Sequence, residues 1–164
     1  MEPVYFDHAA TTPVRPEVLE AMLPFFSASW GNPSSSHRFG RAAKAGLEQA
    51  KREVGEALGV EPNQVIFTSG GTEADNLAVL GAAMAAQHAG RPVHVVTTAI
   101  EHKAILAAAH AVVRMGGRET ILPVDGNGRV RLDALDAALA EHPSLVSVMW
   151  VNNEVGTVQP MAEI

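Results

Sequence analysis

The sequence predicts an α/β fold: a three-layer arrangement with a mostly parallel sheet flanked by helices and joined by right-handed crossovers. Three observations predict it. Short apolar runs alternate with helical segments from Gln64 to Val151. Helical segments carry apolar residues at three- and four-residue spacing, as at Ala43, Leu47, Ala50, Val54 and Leu58. Turn chemistry separates the elements, with Ser69-Gly70-Gly71 after one apolar run and Asp125-Gly126-Asn127-Gly128 after another.

Taken in order, Pro13 and Pro16 open a helix to about Phe26, with Val18, Met22 and Phe25 on one face. Ser27 to Gly40 is rich in Gly, Ser, Asn and Pro and reads as a long ordered loop, of the kind that often carries function. The helix bearing the Ala43–Leu58 stripe follows, with Lys44, Glu48, Lys51 and Arg52 largely opposite the stripe and Gly59 as its stop. Gln64–Thr68 reads as a strand and Thr72–His88 as a helix. Val93–Thr98 is a strand, Glu101–Met115 a helix, Glu119–Val124 a strand and Leu132–Ala140 a helix. Leu145–Val151 is a near-continuous apolar run, expected to be a strand buried on both faces. Pro160 and the residues after it suit a helix's first turn. The expectation is a chain that stops within an element and leaves a strand edge and an apolar face uncovered.

Composition narrows the function. The 164 residues are 47% hydrophobic, enough for a real core. With 12 Lys+Arg against 18 Asp+Glu, the net charge of -6 repels a phosphate backbone and argues against non-specific nucleic-acid binding. The absence of cysteine excludes a disulfide scaffold, a zinc ribbon, an iron–sulfur ligand set and a thiol nucleophile from this sequence. Glu2, Asp7 and the lack of an apolar run at the start argue against a signal peptide, and no stretch is long enough to span a bilayer. The expectation is a cytoplasmic protein with no membrane partner. His94, His102 and His110 do not form a zinc-protease spacing, and no metal site is expected.

Three segments follow strands, and parallel strands deliver ligands to the crevice at their carboxyl ends. At Ser69–Glu73, two glycines allow close backbone approach at a helix N-terminus suited to phosphate, and Thr72 adds a hydroxyl. On spacing alone, an ordinary helix cap, with Ser69 or Thr72 accepting from the first-turn amides, is the stronger reading. It is neither a P-loop nor a dinucleotide fingerprint. At Glu101–Lys103, His102 could stack on an aromatic ligand or move protons, or simply be a part-exposed residue at a helix start. At Val151–Pro160, Asn152, Asn153 and Glu154 form a polar cluster that could position a ligand or serve turn chemistry.

Together the motifs resemble the N-terminal part of pyridoxal-phosphate-dependent cysteine desulfurases, within the class V aminotransferase group. The matching stretches are FDHAATTPV (6–14), EVLEAMLPFF (17–26), GNPSSSHRFG (31–40), FTSGGTEADN (67–76), IEHKA (100–104) and VNNEVGTVQP (151–160). GNPSS before a histidine, and the FTSGGTE form, resemble the iron–sulfur-assembly and nitrogen-fixation branch. The resemblance implies the large domain of a fold type I enzyme, incomplete here. It implies that residues 1–15 form a segment near the active-site entrance, with Ala10 and Thr11 there, and that residues 16–164 belong to the cofactor-binding domain. It also implies pyridoxal 5'-phosphate as cofactor, with Gly71 and Thr72 on its phosphate, His102 stacked on its ring as the catalytic residue, and Asn153 on the ring's substituent side.

The implied reaction takes sulfur from L-cysteine, giving L-alanine and an enzyme persulfide for iron–sulfur cluster or thio-cofactor synthesis. The implied partners are a second copy in a homodimer and a sulfur-acceptor or scaffold protein. In the family, the Schiff-base lysine, the aspartate on the ring nitrogen and the nucleophilic cysteine lie beyond the stretch that this sequence matches. The only lysines here are Lys44, Lys51 and Lys103, and none sits at the Schiff-base position. The expectation is a stretch inactive alone, completed by a C-terminal portion or a complementary polypeptide. The alternatives are a free-standing binding or assembly module, and another class V enzyme such as a selenocysteine lyase or an aminotransferase.

Overall fold

A computed structural model describes residues 3–164, and Glu2, one of the acids that argue against a leader, lies outside the described residues. The chain forms two compact units, one running to Phe67 and the other from Thr68 to Ile164.

The first unit holds α1 (Pro16–Ser27), α2 (Arg38–Leu58) and a 3-10 turn at Pro62–Gln64. Pro16 sits at the start of α1, where its missing N–H costs nothing. α2 begins before Gly40, so the expected loop from Ser27 to Gly40 is shorter at its far end. The reason is His37, whose Nδ1 accepts the Gly40 amide at 3.3 Å and caps the helix. Gly40 is a close-approach residue rather than a turn signal: a Cβ there would stand 2.2 Å from the Ser35 carbonyl oxygen. Gly59 ends α2 as expected, in the left-handed region at φ 69°.

Gln64–Thr68 is not a strand. Gln64 belongs to the 3-10 turn, where its Oε1 accepts the Glu61 amide at 2.9 Å. The residues after it pair with no strand among the described residues, and Ile66 and Phe67 are exposed. β-propensity makes a strand only where an edge supplies ladder partners.

The second unit is the α/β layer structure. It runs α3 (Gly71–His88), β1 (His94–Thr98), α4 (Lys103–Arg114), β2 (Arg118–Leu122), α5 (Leu132–Leu139) and β3 (Leu145–Ser147). The sheet order is β2-β1-β3, and both pairings are parallel. Period-two alternation of β1 sends Val95 to one face and Val96 to the other. Val95 packs with Val79, Ile105 and Val112 of α3 and α4. Val96 packs with Leu122, Leu135 and Ala138 on the α5 side. The three-layer expectation is met, with β1 as its axis.

The strand buried on both faces is therefore β1, not the run Leu145–Val151. That run pairs with β1 only through Leu145–Ser147, is half-buried there at the sheet edge, and ends in exposed Trp150 and Val151, the latter bridged to Val158. Past its end the Met149 amide bonds to the Glu101 side chain instead of a strand carbonyl. β2 likewise ends at Leu122, and Val124 bridges Val130 across the Asp125–Gly128 turn. The core histidine His94 is fully engaged: Nε2 meets Thr120 Oγ1 at 2.8 Å and Nδ1 meets Arg118 Nη2 at 3.0 Å. Burial, and then the Arg118 charge, hold its pKa below the ordinary imidazole value.

Leu135→Ala is expected to destabilise the second unit by about 2–5 kcal/mol, because Leu135 is a fully buried member of the α5 face. Leu139→Ala, on an exposed neighbour, should cost under about 1 kcal/mol. Urea unfolding followed by circular dichroism checks both values.

Candidate functional site

The carboxyl ends of β1 and β3 open onto a cleft lined by Glu101, His102, Lys103, Asn152, Asn153 and Glu154. An adjoining hollow is lined by Asp75 of α3 together with Glu101, His102 and Met149. Two of the three segments expected to share a rim, Glu101–Lys103 and Asn152–Glu154, meet in this cleft, while Ser69–Glu73 lines neither hollow and α3 contributes Asp75.

The first turn of α3 has no side-chain cap. Ser69 does not accept from the turn; its amide and hydroxyl both donate to Glu73 Oε2, at 2.7 and 2.6 Å. Those bonds hold the Glu73 carboxyl below its ordinary pKa. The amides of Gly71, Thr72 and Glu73 have no partner among the described residues. Nothing lies within 4 Å of where a Cβ would stand on Gly70 or Gly71. Three unpaired donors and the positive end of an 18-residue helix therefore face open space. That is the donor set and the room that a phosphate group needs. The helix-cap reading does not account for it, because no side chain caps the turn.

His102 is the N-cap of α4: its Nδ1 accepts the Ala104 amide at 3.2 Å. The ring proton then sits on Nε2, and the exposed ring is held at the cleft by its own helix. Asn153 is exposed in the same cleft, where its Nδ2 donates to Glu154 Oε1 at 2.9 Å. Ala10 and Thr11 lie in the first unit, in an exposed turn whose amides donate to the Asp7 carbonyl at 3.1 and 3.3 Å.

Two residues of the site carry roles that the sequence reading left unassigned. Glu101 is buried, and its Oε1 accepts from Thr98 Oγ1 at 2.9 Å and from the Met149 amide at 2.7 Å. Asn152 is buried too, and its Nδ2 donates to the Ile100 carbonyl at 2.9 Å. The sequence signal was there in part: an acid and an amide directly after apolar runs ask for partners. Which partners they find is a matter of tertiary structure. No group of three or more acidic or histidine side chains among the described residues is arranged to hold a metal ion. None of the described helices is long and apolar enough to cross a membrane.

Burial pushes the Glu101 carboxyl above the ordinary value of 4.5, against the two hydrogen bonds that favour its charged form. The folded state therefore holds this proton more tightly than the unfolded chain. The resulting stability is present below the ordinary carboxylate range and is lost as pH rises through the raised folded value. Glu101→Gln keeps an oxygen for both donors and has no charge to bury. Its stability relative to wild type is expected to improve as pH rises from the ordinary carboxylate range through the raised value and then level off, as read by urea midpoints at successive pH values. A constant difference would mean that Glu101 titrates normally.

Residues 4–164 match the aminotransferase class-V family. A cysteine desulfurase IscS of Clostridium botulinum (strain Hall) is 47% identical over 161 residues, which cover 98% of this chain and 40% of that protein. A solved structure titled "NIFS-LIKE PROTEIN" superposes with a TM-score of 0.89 at 41% identity, covering 96% of this chain and 43% of that one. Another, titled "SspA in complex with cysteine", gives 0.86 at 35% identity, covering 98% and 46%. The chain spans about two-fifths of the length of the curated relatives it matches. On the match over residues 4–164 and the parallel sheet they build, the chain belongs to the aminotransferase class-V family.

Proposed function

We propose that this chain is the N-terminal part of a cysteine desulfurase, and that it holds the phosphate and one ring face of pyridoxal 5'-phosphate. The observation that carries the reading is the row of unpaired amides at Gly71–Glu73 above open space, beside a cleft that presents His102 and Asn153. The relatives' names support sulfur removal from cysteine. In this reading L-alanine is the product and a persulfide passes to a sulfur-acceptor or scaffold protein. The neighbour solved with cysteine supports the substrate class. In this reading residues 16–164 belong to the cofactor-binding domain, and the working enzyme is a homodimer.

The residues divide the work. The α3 amides and the Thr72 hydroxyl bind the phosphate by charge-assisted hydrogen bonds. His102 orients the ring by stacking, and holds a proton on Nε2 because Nδ1 is committed to the Ala104 amide. Asn153 contacts the ring's substituents. When bound, the cofactor supplies an electron sink for the amino-acid substrate. The lysine that fixes its aldehyde and the thiolate that takes the sulfur come from outside this stretch, which has no cysteine. Lys103 lines the cleft but serves, in this reading, as the first residue of α4.

Pyridoxal phosphate titration of the chain, followed by borohydride reduction and intact mass, tests the assignment. Saturable binding without a covalent adduct is expected, and an adduct on Lys103 would overturn the division of roles. Thr72→Ala should weaken binding by about 1–3 kcal/mol, the scale of one charge-assisted hydrogen bond in a site. Equal affinities would remove Thr72 from the phosphate. His102→Asn keeps a capping side chain and deletes the ring. It should alter the absorption band of the bound cofactor while the unfolding midpoint stays put; an unaltered band would sink the stacking role.

A further inference from the structure

The backbone ladder between β1 and β3 ends at the Thr97–Ser147 pair. Past that point, residues 98–102 and 148–155 are joined by two hydrogen bonds among the described residues, both made by buried side chains. One is Met149 N–H to Glu101 Oε1 at 2.7 Å. The other is Asn152 Nδ2 to the Ile100 carbonyl at 2.9 Å. Each of these side chains sits next in sequence to a cleft residue: Glu101 to His102, and Asn152 to Asn153.

Asn152 is the more constrained of the two. Its Oδ1 accepts the Glu154 and Val155 amides, both at 3.0 Å. Its own amide donates to the Thr157 carbonyl at 2.9 Å, and its carbonyl accepts from Gly156 at 2.9 Å. The turn is therefore built around Asn152, and the Nδ2 bond fastens that turn to the loop that leads into His102. The other side of the same turn is anchored separately, by Thr157 Oγ1 to the Asn127 carbonyl at 2.7 Å. Loss of the Nδ2 bond would leave the turn folded and joined to the loop before His102 only through Met149 and Glu101.

We infer that Asn152 is a positioning residue, whose bond to Ile100 sets His102 and Asn153 at the separation that a planar aromatic ring requires between them. The inference rests on the reading of the cleft as the ring site. It adds a residue that touches no ligand and acts through its neighbours, as outer-shell groups do elsewhere.

Asn152→Asp separates this role from simple turn building. It retains the oxygen for Glu154 and Val155 and sets a second oxygen against the Ile100 carbonyl. In the cofactor-free chain, the His102 imidazole and Asn153 side-chain amide NMR signals are expected to move, with those of His94 and His110 in place. Pyridoxal phosphate should bind roughly tenfold more weakly, the scale on which outer-shell partners act. Inorganic phosphate, which reads the α3 amides alone, should bind as to wild type. Unmoved His102 and Asn153 signals overturn the inference, and so does equal weakening toward both ligands. Asn152→Ala removes the bond without adding an oxygen and carries the same readouts if the Asp variant does not fold. Failure of both to fold assigns Asn152 to the fold and overturns the positioning role. If wild type binds no pyridoxal phosphate, the functional reading falls, and the cofactor-free signals still decide whether Asn152 places the two side chains.

Discussion

The parallel pairing of β1 on both of its edges is the constraint on which the rest depends. A strand paired on both sides has no free backbone groups, so it can be buried along its whole length, and β1 is. Its alternating valines then recruit α3 and α4 to one face and α5 to the other. Parallel pairing with β3 brings two carboxyl ends to the same side of the sheet, and α3 packs alongside. The cleft is a by-product of that direction: polar loops leave the sheet where the apolar strands stop.

Those loops have no ladder, and they are held by committed side chains instead. Glu101 spends its carboxylate on a backbone amide across the sheet edge, despite the cost of burying a charge. Asn152 does the same with an amide group and no charge. Gln159 extends the pattern away from the cleft, accepting from the Val130 amide and donating to the Gly128 carbonyl. Buried polar residues with every partner supplied fix one arrangement of chain segments, where apolar packing would tolerate several.

The layer order, α3 to α5 and the polar loops after β1 and β3 were legible because each rests on local patterning: apolar spacing, cap residues and turn glycines. Two elements were not. Gln64–Thr68 has the composition of a strand, but composition does not supply an edge, and no strand among the described residues pairs with it. Leu145–Val151 has enough apolar residues for a long strand, yet its ladder is cut short where Glu101, 48 positions away, takes the Met149 amide. At the candidate site, Gly71, Thr72 and His102 stood out by residue type and position, and the resemblance singled out Asn153 from its polar cluster. Glu101 and Asn152 sit beside them with equally clear chemistry, but their partners are distant in sequence. A buried acceptor announces that it needs a donor and says nothing about which.

The bond between Asn152 and Ile100 also has a consequence in time. It spans 52 positions, and the Glu101 bond spans 48. Helices such as α3 and α4 close on contacts a few residues apart and form early, whereas closing loops of this length costs chain entropy that only β1–β3 pairing offsets. The helix termini are therefore in place before the cleft between them has its width. The width of the cleft thus rests on contacts between segments far apart in the chain.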